Sequence, residues 1–306
     1  MIWGLALVAV VIAAPFLREA LRPRMGAAAR QAAPGNFADL PQGVTHCQWQ
    51  GPEDGPVAVL VHGLTTPRFV WGGVAAALVD RGYRVLSYDL YGRGFSDRPG
   101  GVQDRDFFLR QLNDLLADQG VADGFTLMGY SMGGSISTAF AAAHPGRVKR
   151  LVLLAPAGSE PLGNARSRFW RCLPGIGLWW MLAGFAGRHR RGTETERDLP
   201  TSVPGIVDLQ RAELRCRGFI PAVRSSLCHM LGEVQAADHR AIHAAALPVL
   251  AVWGADDAVI PIRAKAALEG WNPAMRHAVV DGAAHGVTYT HTGEVMAAVQ
   301  AFLAEN

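Results

Sequence analysis

The feature that most limits what this chain can become is a rhythm. Short apolar, β-rich runs at 57–61 (VAVLV), 84–90 (RVLSYDL), 125–129 and 151–155 alternate with stretches at helical spacing, 71–81, 104–119 and 133–144. A run that is apolar at every position suits a strand buried on both faces, because a half-exposed strand would alternate. The helical stretches stop at Gly82, Gly120 and His144-Pro145, where glycine or proline ends a helix. This spacing predicts parallel βαβ units, hence an α/β fold with a mostly parallel, doubly wound sheet and helices on both faces. A looser alternation at 44–50 predicts an antiparallel first strand.

The rhythm then breaks. Residues 159–246 offer no clear buried strand and are rich in Arg and Trp; it resumes at 248–254 (PVLAVWG), 276–281 and a last helix at 290–304. We read 44–158 and 247–306 as one core, 159–246 as a helical cap inserted into it, 25–43 as an Ala/Gly/Pro-rich linker and 1–24 as a separate apolar helix. A chain of 306 residues with 50% hydrophobic content is large enough for such a core.

Gly129-Tyr130-Ser131-Met132-Gly133 sits between an expected strand and an expected helix. That is the context in which G-x-S-x-G forms a sharp turn exposing a nucleophilic serine. Gly129 and Gly133 leave room where side chains would strike the neighbouring strand and helix. The Met132 N–H, at the helix start, faces the place where an oxyanion develops. A serine hydroxyl needs a base. His285, in the loop after the last expected strand, is our candidate; His277 and His291 fall at a strand start and a helix start. The imidazole needs an orienting carboxylate. We choose Asp257, with Asp256 as the alternative, in the loop after 248–254. Ser131, Asp257 and His285 follow in the order expected of this arrangement. His62 and Gly63 follow the 57–61 strand, so Gly63 permits a tight turn, the Leu64 N–H becomes the second oxyanion donor, and His62 braces the loop.

Together these residues resemble the α/β-hydrolase family, serine branch. The resemblance rests on His62-Gly63, Trp71, Asp89-Leu-Tyr-Gly-Arg-Gly-Phe-Ser-Asp97, the Ser131 turn, the Gly254 to Asp257 loop and His285. It implies a helical cap over the site at the 159–246 insertion. The Gly-Tyr-Ser-Met-Gly-Gly turn is similar to those of monoacylglycerol lipases, carboxylesterases and meta-cleavage-product C–C hydrolases. The serine nucleophile departs from epoxide hydrolases and haloalkane dehalogenases, which use Asp. The expected activity is hydrolysis of a hydrophobic carboxylic ester, a monoacyl lipid among the candidates, through an acyl-enzyme. C–C bond hydrolysis is the alternative, and a ligand-binding protein on the same fold the third reading.

No metal or cofactor site is visible in the sequence. Only Lys149 and Lys265 among 29 basic residues are lysines, and the net charge is +3. The basic residues form no patch or module of the nucleic-acid-binding kind, so no nucleic-acid partner is expected, and the oligomeric state is left open. Cys47, Cys172, Cys216 and Cys228 form no C-x-x-C pair; we expect free thiols in a reducing compartment, with a bridge within 172–228 as the alternative. Residues 1–17 are uncharged, and Arg18, Arg22, Arg24 and Arg30 follow. The expected role is a membrane anchor or interfacial helix, with the body on the cytoplasmic side by the charge flank. A cleaved export signal or a helix packed on the body are the alternatives. The apolar 169–185 stretch, followed by Arg188, Arg190 and Arg191, reads as cap packing or as a second lipid-facing patch.

Overall fold

The computed structural model describes residues 2–31 and 33–305. Among them eight strands form one sheet: β1 (Asn36–Leu40), β2 (Gly43–Gln50), β3 (Val57–Val61), β4 (Arg84–Tyr88), β5 (Phe125–Tyr130), β6 (Val148–Leu154), β7 (Val249–Gly254) and β8 (Arg276–Val280). The order across the sheet is β1-β2-β4-β3-β5-β6-β7-β8. β1 pairs antiparallel with β2 and β2 antiparallel with β4; every later pairing is parallel.

Helices cover both faces. α1 (Ile2–Ala20) and α2 (Ala27–Arg30) precede the sheet. α3 (Gly72–Val79), α4 (Arg105–Asp118) and α5 (Met132–Ala143) connect its central strands. Asp104 caps α4 by accepting the Phe107 N–H at 3.0 Å, the usual use of Asp before a first helical turn. Between β6 and β7 the chain is helical: α6 (Ala165–Cys172), α7 (Ile176–Glu194), α8 (Ile206–Ala212), α9 (Phe219–Cys228) and α10 (Ala236–Ala244). α11 (Ala264–Trp271), α12 (Val287–Thr290) and α13 (Thr292–Glu305) complete the fold.

The apolar runs divide between two cores, because side chains alternate across a strand. Val59 and Val61 enter the cluster that also holds Leu127, Ile136, Phe140 and Trp253, roofed by the cap residues Met181 and Phe219. Ala58 and Leu60 enter the opposite cluster with Trp71, Leu78, Val299 and Phe302. Burial on both sides is why VAVLV lacks polar residues.

Two expectations change. The 25–43 linker contains α2 and β1. In β1 only Ala38 and Leu40 are buried, while Phe37 and Asp39 face out, so a short edge strand with one small inward residue carries almost no pattern. Cys172 and Cys228 are not free thiols. They form a disulfide between the end of α6 and the end of α9, 56 residues apart; only helix packing in the cap brings them together. Cys47 and Cys216 are free.

α1 has 19 residues, about 28 Å at 1.5 Å per residue, and is long and apolar enough to cross a membrane. Trp3, Leu5, Leu7, Val10 and Leu17 are each more than half exposed. The helix touches the body along one line: the Trp179 side chain on α7 donates to the Val11 carbonyl at 3.2 Å. Its last turn is fastened by Glu19, which pairs with Arg22 and accepts the Gly218 N–H at 2.7 Å. The 169–185 stretch is divided between buried and exposed side chains. Met181 and Leu182 are buried under the cap, whereas Phe169, Trp170 and Ile176 are 61, 45 and 55% exposed.

Candidate active site

The parallel strands deliver their following loops to one sheet edge, where clefts form in open α/β sheets. Ser131 stands between β5 and α5 at φ 54°, ψ −117°, a backbone conformation that non-glycine residues hold only under constraint. The constraint is visible. A Cβ on Gly129 would lie 2.3 Å from the Gly133 carbonyl oxygen, and one on Gly133 would lie 2.0 Å from the Val61 carbonyl oxygen. Strand, turn and helix are thus pressed together at the two glycines.

His285 comes from the loop after β8, and its Nε2 lies 3.0 Å from Ser131 Oγ. Its Nδ1 lies 2.7 Å from Asp257 Oδ2. The other Asp257 oxygen accepts the Val259 and Ile260 N–H groups, each at 2.8 Å, so the carboxylate is held rigidly and is 4% exposed. Asp256 points outward and is exposed. His277 stacks on Trp253 and accepts its indole N–H at 3.0 Å. His291 bonds to Thr290. Neither makes a bond to Ser131.

The 62–64 loop lies against the serine: a Cβ on Gly63 would sit 3.3 Å from Ser131 Cβ. His62 is fully buried. Its Nε2 accepts the Leu90 N–H at 2.8 Å and its Nδ1 donates to the Gly63 carbonyl at 2.7 Å. Those bonds assign the neutral ring, and burial lowers its pKa to about 4. Asp89 organises the neighbouring turn by accepting the Arg68 and Phe95 N–H groups, each at 2.9 Å, and bonding His46 Nδ1 at 2.7 Å. Burial alone would push its carboxyl up; the hydrogen bond and charge of His46 outweigh that and hold it below the usual range.

Three contributors escaped the sequence reading. Arg93 is fully buried and donates to the Leu64 carbonyl at 3.1 Å, the Tyr91 carbonyl at 2.9 Å, Gln103 Oε1, Ser226 Oγ at 2.7 Å and the Ala222 carbonyl at 3.5 Å. It therefore ties the 62–64 loop to α9 of the cap. Burial lowers its pKa to about 9. Tyr130 donates its hydroxyl to the His285 carbonyl at 3.0 Å. Tyr289 donates to Glu196 of the cap at 2.8 Å, joining the segment after His285 to the cap. An Arg in a polar loop, a Tyr beside Gly129 and a Tyr between two Thr carry no signal of such contacts in one dimension. Among the described residues, no group of three or more His, Cys, Asp and Glu side chains is arranged to hold a metal ion.

An eight-stranded sheet with a serine on a strained strand–helix turn, a histidine and a carboxylate on following loops, and a helical insertion defines a class of protein. Residues 56–292 match the α/β hydrolase fold family, and the chain belongs to it. It is 29% identical over 262 residues to a pimeloyl-[acyl-carrier protein] methyl ester esterase of Aeromonas hydrophila, covering 81% of this chain and 96% of that protein. It is 26% identical over 264 residues to a 2-hydroxymuconate semialdehyde hydrolase of Pseudomonas putida, covering 82% and 88%. Among solved structures it is similar in fold to a membrane phospholipase A described as a bacterial virulence factor. That likeness has a TM-score of 0.71 at 21% identity and covers 99% of this chain and 96% of the other.

Proposed function

We propose that this protein is a serine esterase acting on a hydrophobic carboxylic ester, with Ser131 as nucleophile. The carrying observation is the line of bonds from Ser131 Oγ through His285 to Asp257, at 3.0 and 2.7 Å. His285 Nε2 takes the serine proton as Oγ attacks the acyl carbon. The Leu64 and Met132 N–H groups receive the oxyanion. The protonated imidazole then gives its proton to the departing alcohol, leaving an acyl-serine. Water, deprotonated by the same imidazole, releases the acid and restores the enzyme. Asp257 keeps Nδ1 protonated and the ring aligned. The curated ester esterase relative supports this reading.

A fluorophosphonate probe will label the wild-type protein and spare Ser131→Ala. Equal labelling of both would remove Ser131 from the mechanism. A panel of p-nitrophenyl esters of rising chain length, with monoacylglycerols, then locates the substrate; a protein that binds these compounds tightly and turns over none is a binding protein, not an esterase. The 2-hydroxymuconate semialdehyde hydrolase relative favours C–C hydrolysis as the second reading, and a dienoate turned over far faster than every ester would establish it.

The exposed apolar surface of α1 supports a lipid-phase location, and a hydrophobic substrate is consistent with it. The Cys172–Cys228 bridge supports a body on the oxidising side of that membrane, against the cytoplasmic side that the basic flank suggests.

A further inference from the structure

A cavity of about 440 Å³ lies where three parts of the chain meet: Arg24 just beyond α1, Gln42 and the Asp97-Arg98 pair of the core, and Arg217 with Gly218 of the cap. None of Ser131, Asp257 and His285 lines it. We propose that this cavity is an anion site that takes a phosphate group.

The charge balance of the cavity favours an anion. Three guanidinium groups face one carboxylate, and that carboxylate is already engaged: Asp97 Oδ1 pairs with Arg30 at 2.5 Å, and Oδ2 accepts the Val44 N–H at 2.8 Å. The other nearby acids are also occupied. Glu19 holds Arg22 and the Gly218 N–H. Glu213 Oε2 accepts the Gly94 N–H at 2.9 Å and makes only a long ion pair with Arg98, 3.9 Å from Nη2 and without a hydrogen bond.

Bonds are also left unmade. The Arg98 side chain is 11% exposed. Its Nη1 donates to the Ser96 carbonyl, but Nε and Nη2 are buried without a hydrogen-bond partner. Leaving a buried donor unmade costs about 1–3 kcal/mol, and more when it is charged. The Nε and Nη2 edge of a guanidinium is a fork that matches two oxygens of a phosphate; Arg98 lines the cavity, and a turn of its side chain would bring that buried edge onto it. Gln42 Oε1 on the same cavity is likewise buried and unpartnered, an acceptor for a hydroxyl of the bound phosphate compound.

The backbone accommodates this arginine. Gly218 sits at φ +91°, and a Cβ there would lie 2.9 Å from Arg98 Cγ. The Arg217 N–H donates to the Pro23 carbonyl at 2.8 Å, so the site is assembled only with the end of α1 docked on the cap. Its ligand is therefore a phosphate monoester or diester, taken from a phospholipid headgroup where α1 leaves the lipid or from a soluble phosphate compound. The inference stands whether or not Ser131 is the nucleophile.

The test uses the full chain in neutral detergent, read by thermal shift and calorimetry. The probes are inorganic phosphate, dihexanoyl phosphatidylglycerol and dihexanoyl phosphatidylcholine. Wild type should be stabilised by phosphate-bearing probes, and both Arg98→Gln and Arg217→Gln should bind them at least tenfold more weakly. Turnover of a short p-nitrophenyl ester should be unchanged. Tighter binding of the short-chain lipids than of inorganic phosphate assigns the headgroup source; the reverse order assigns a soluble phosphate. No stabilisation by any probe, or equal binding by wild type and Arg217→Gln, would overturn the site even should Arg98→Gln fail to fold.

Discussion

At the residue scale the site separates two roles for histidine that the sequence alone shows only as letters. His285 sits between a hydroxyl and a carboxylate, whereas His62 sits between a backbone donor and a backbone acceptor with no room for a second proton. Its folded pKa of about 4, against an ordinary 6.5, has a definite linkage consequence. Between those values the unfolded chain binds a proton at residue 62 that the folded chain refuses. His62 thus contributes stability that is present above pH 6.5 and lost as pH falls toward 4, roughly 1.4 kcal/mol per pH unit. Urea unfolding at pH 7 and 4.5 should show wild type losing roughly 2–3 kcal/mol more than His62→Gln over that interval. Equal losses would place the acid sensitivity elsewhere. Asp257→Asn belongs to the same scale. The variant keeps its shape but leaves the His285 ring without its proton acceptor, so ester kcat should fall roughly 10³–10⁴-fold with an unchanged melting temperature. A loss under tenfold would mean that Asp257 does not orient the base.

At the scale of elements, the readable parts were those whose side-chain pattern is set locally. β3 and β5 are buried on both faces, and α4 announces itself through Asp104 and its apolar stripe. Ser131, Asp257 and His285 were legible because each follows an expected strand, and the fold places such loops together. β1 was not, having one small and one large inward residue. The cap's bridge was legible only as the alternative to free thiols, since a cysteine's partner is decided by how α6 packs on α9. The reach of Arg93 from the 62–64 loop to α9 was not legible, because the acceptors that span it, on Leu64, Ala222 and Ser226, are neutral oxygens from distant stretches. This strut makes a prediction of its own. Arg93→Lys retains the charge but has one nitrogen in place of the fork, so the Leu64 carbonyl and Ser226 cannot both be held. A shift of the oxyanion loop by about 1 Å costs on the order of 100-fold in rate. Kinetics on a short ester should show kcat reduced roughly 10–100-fold with KM within about threefold of wild type. A change confined to KM would make the strut a substrate-binding feature instead.

At the scale of the whole molecule two signals point to opposite sides of a membrane. The arginines after α1 favour retention of that flank in the cytoplasm, while a protein disulfide does not persist where thiol reductants hold cysteines reduced. The two are not of equal weight. Flanking charge biases how a segment inserts, and long following domains translocate largely regardless of it; a covalent bridge inside the folded cap records the compartment in which folding finished. On that balance we propose the oxidising side, with α1 kept in the lipid by an apolar surface that mostly finds no partner on the body. Cells expressing the chain can be lysed directly into denaturant containing excess maleimide and no reductant, and the protein weighed intact. Two adducts, on Cys47 and Cys216, are expected, rising to four after reduction. The same protein should stay with the membrane pellet after a carbonate wash, and a chain lacking residues 2–20 should leave it. Four adducts before reduction would put the body on the reducing side, and release of the full chain by carbonate would deny α1 its place in the bilayer.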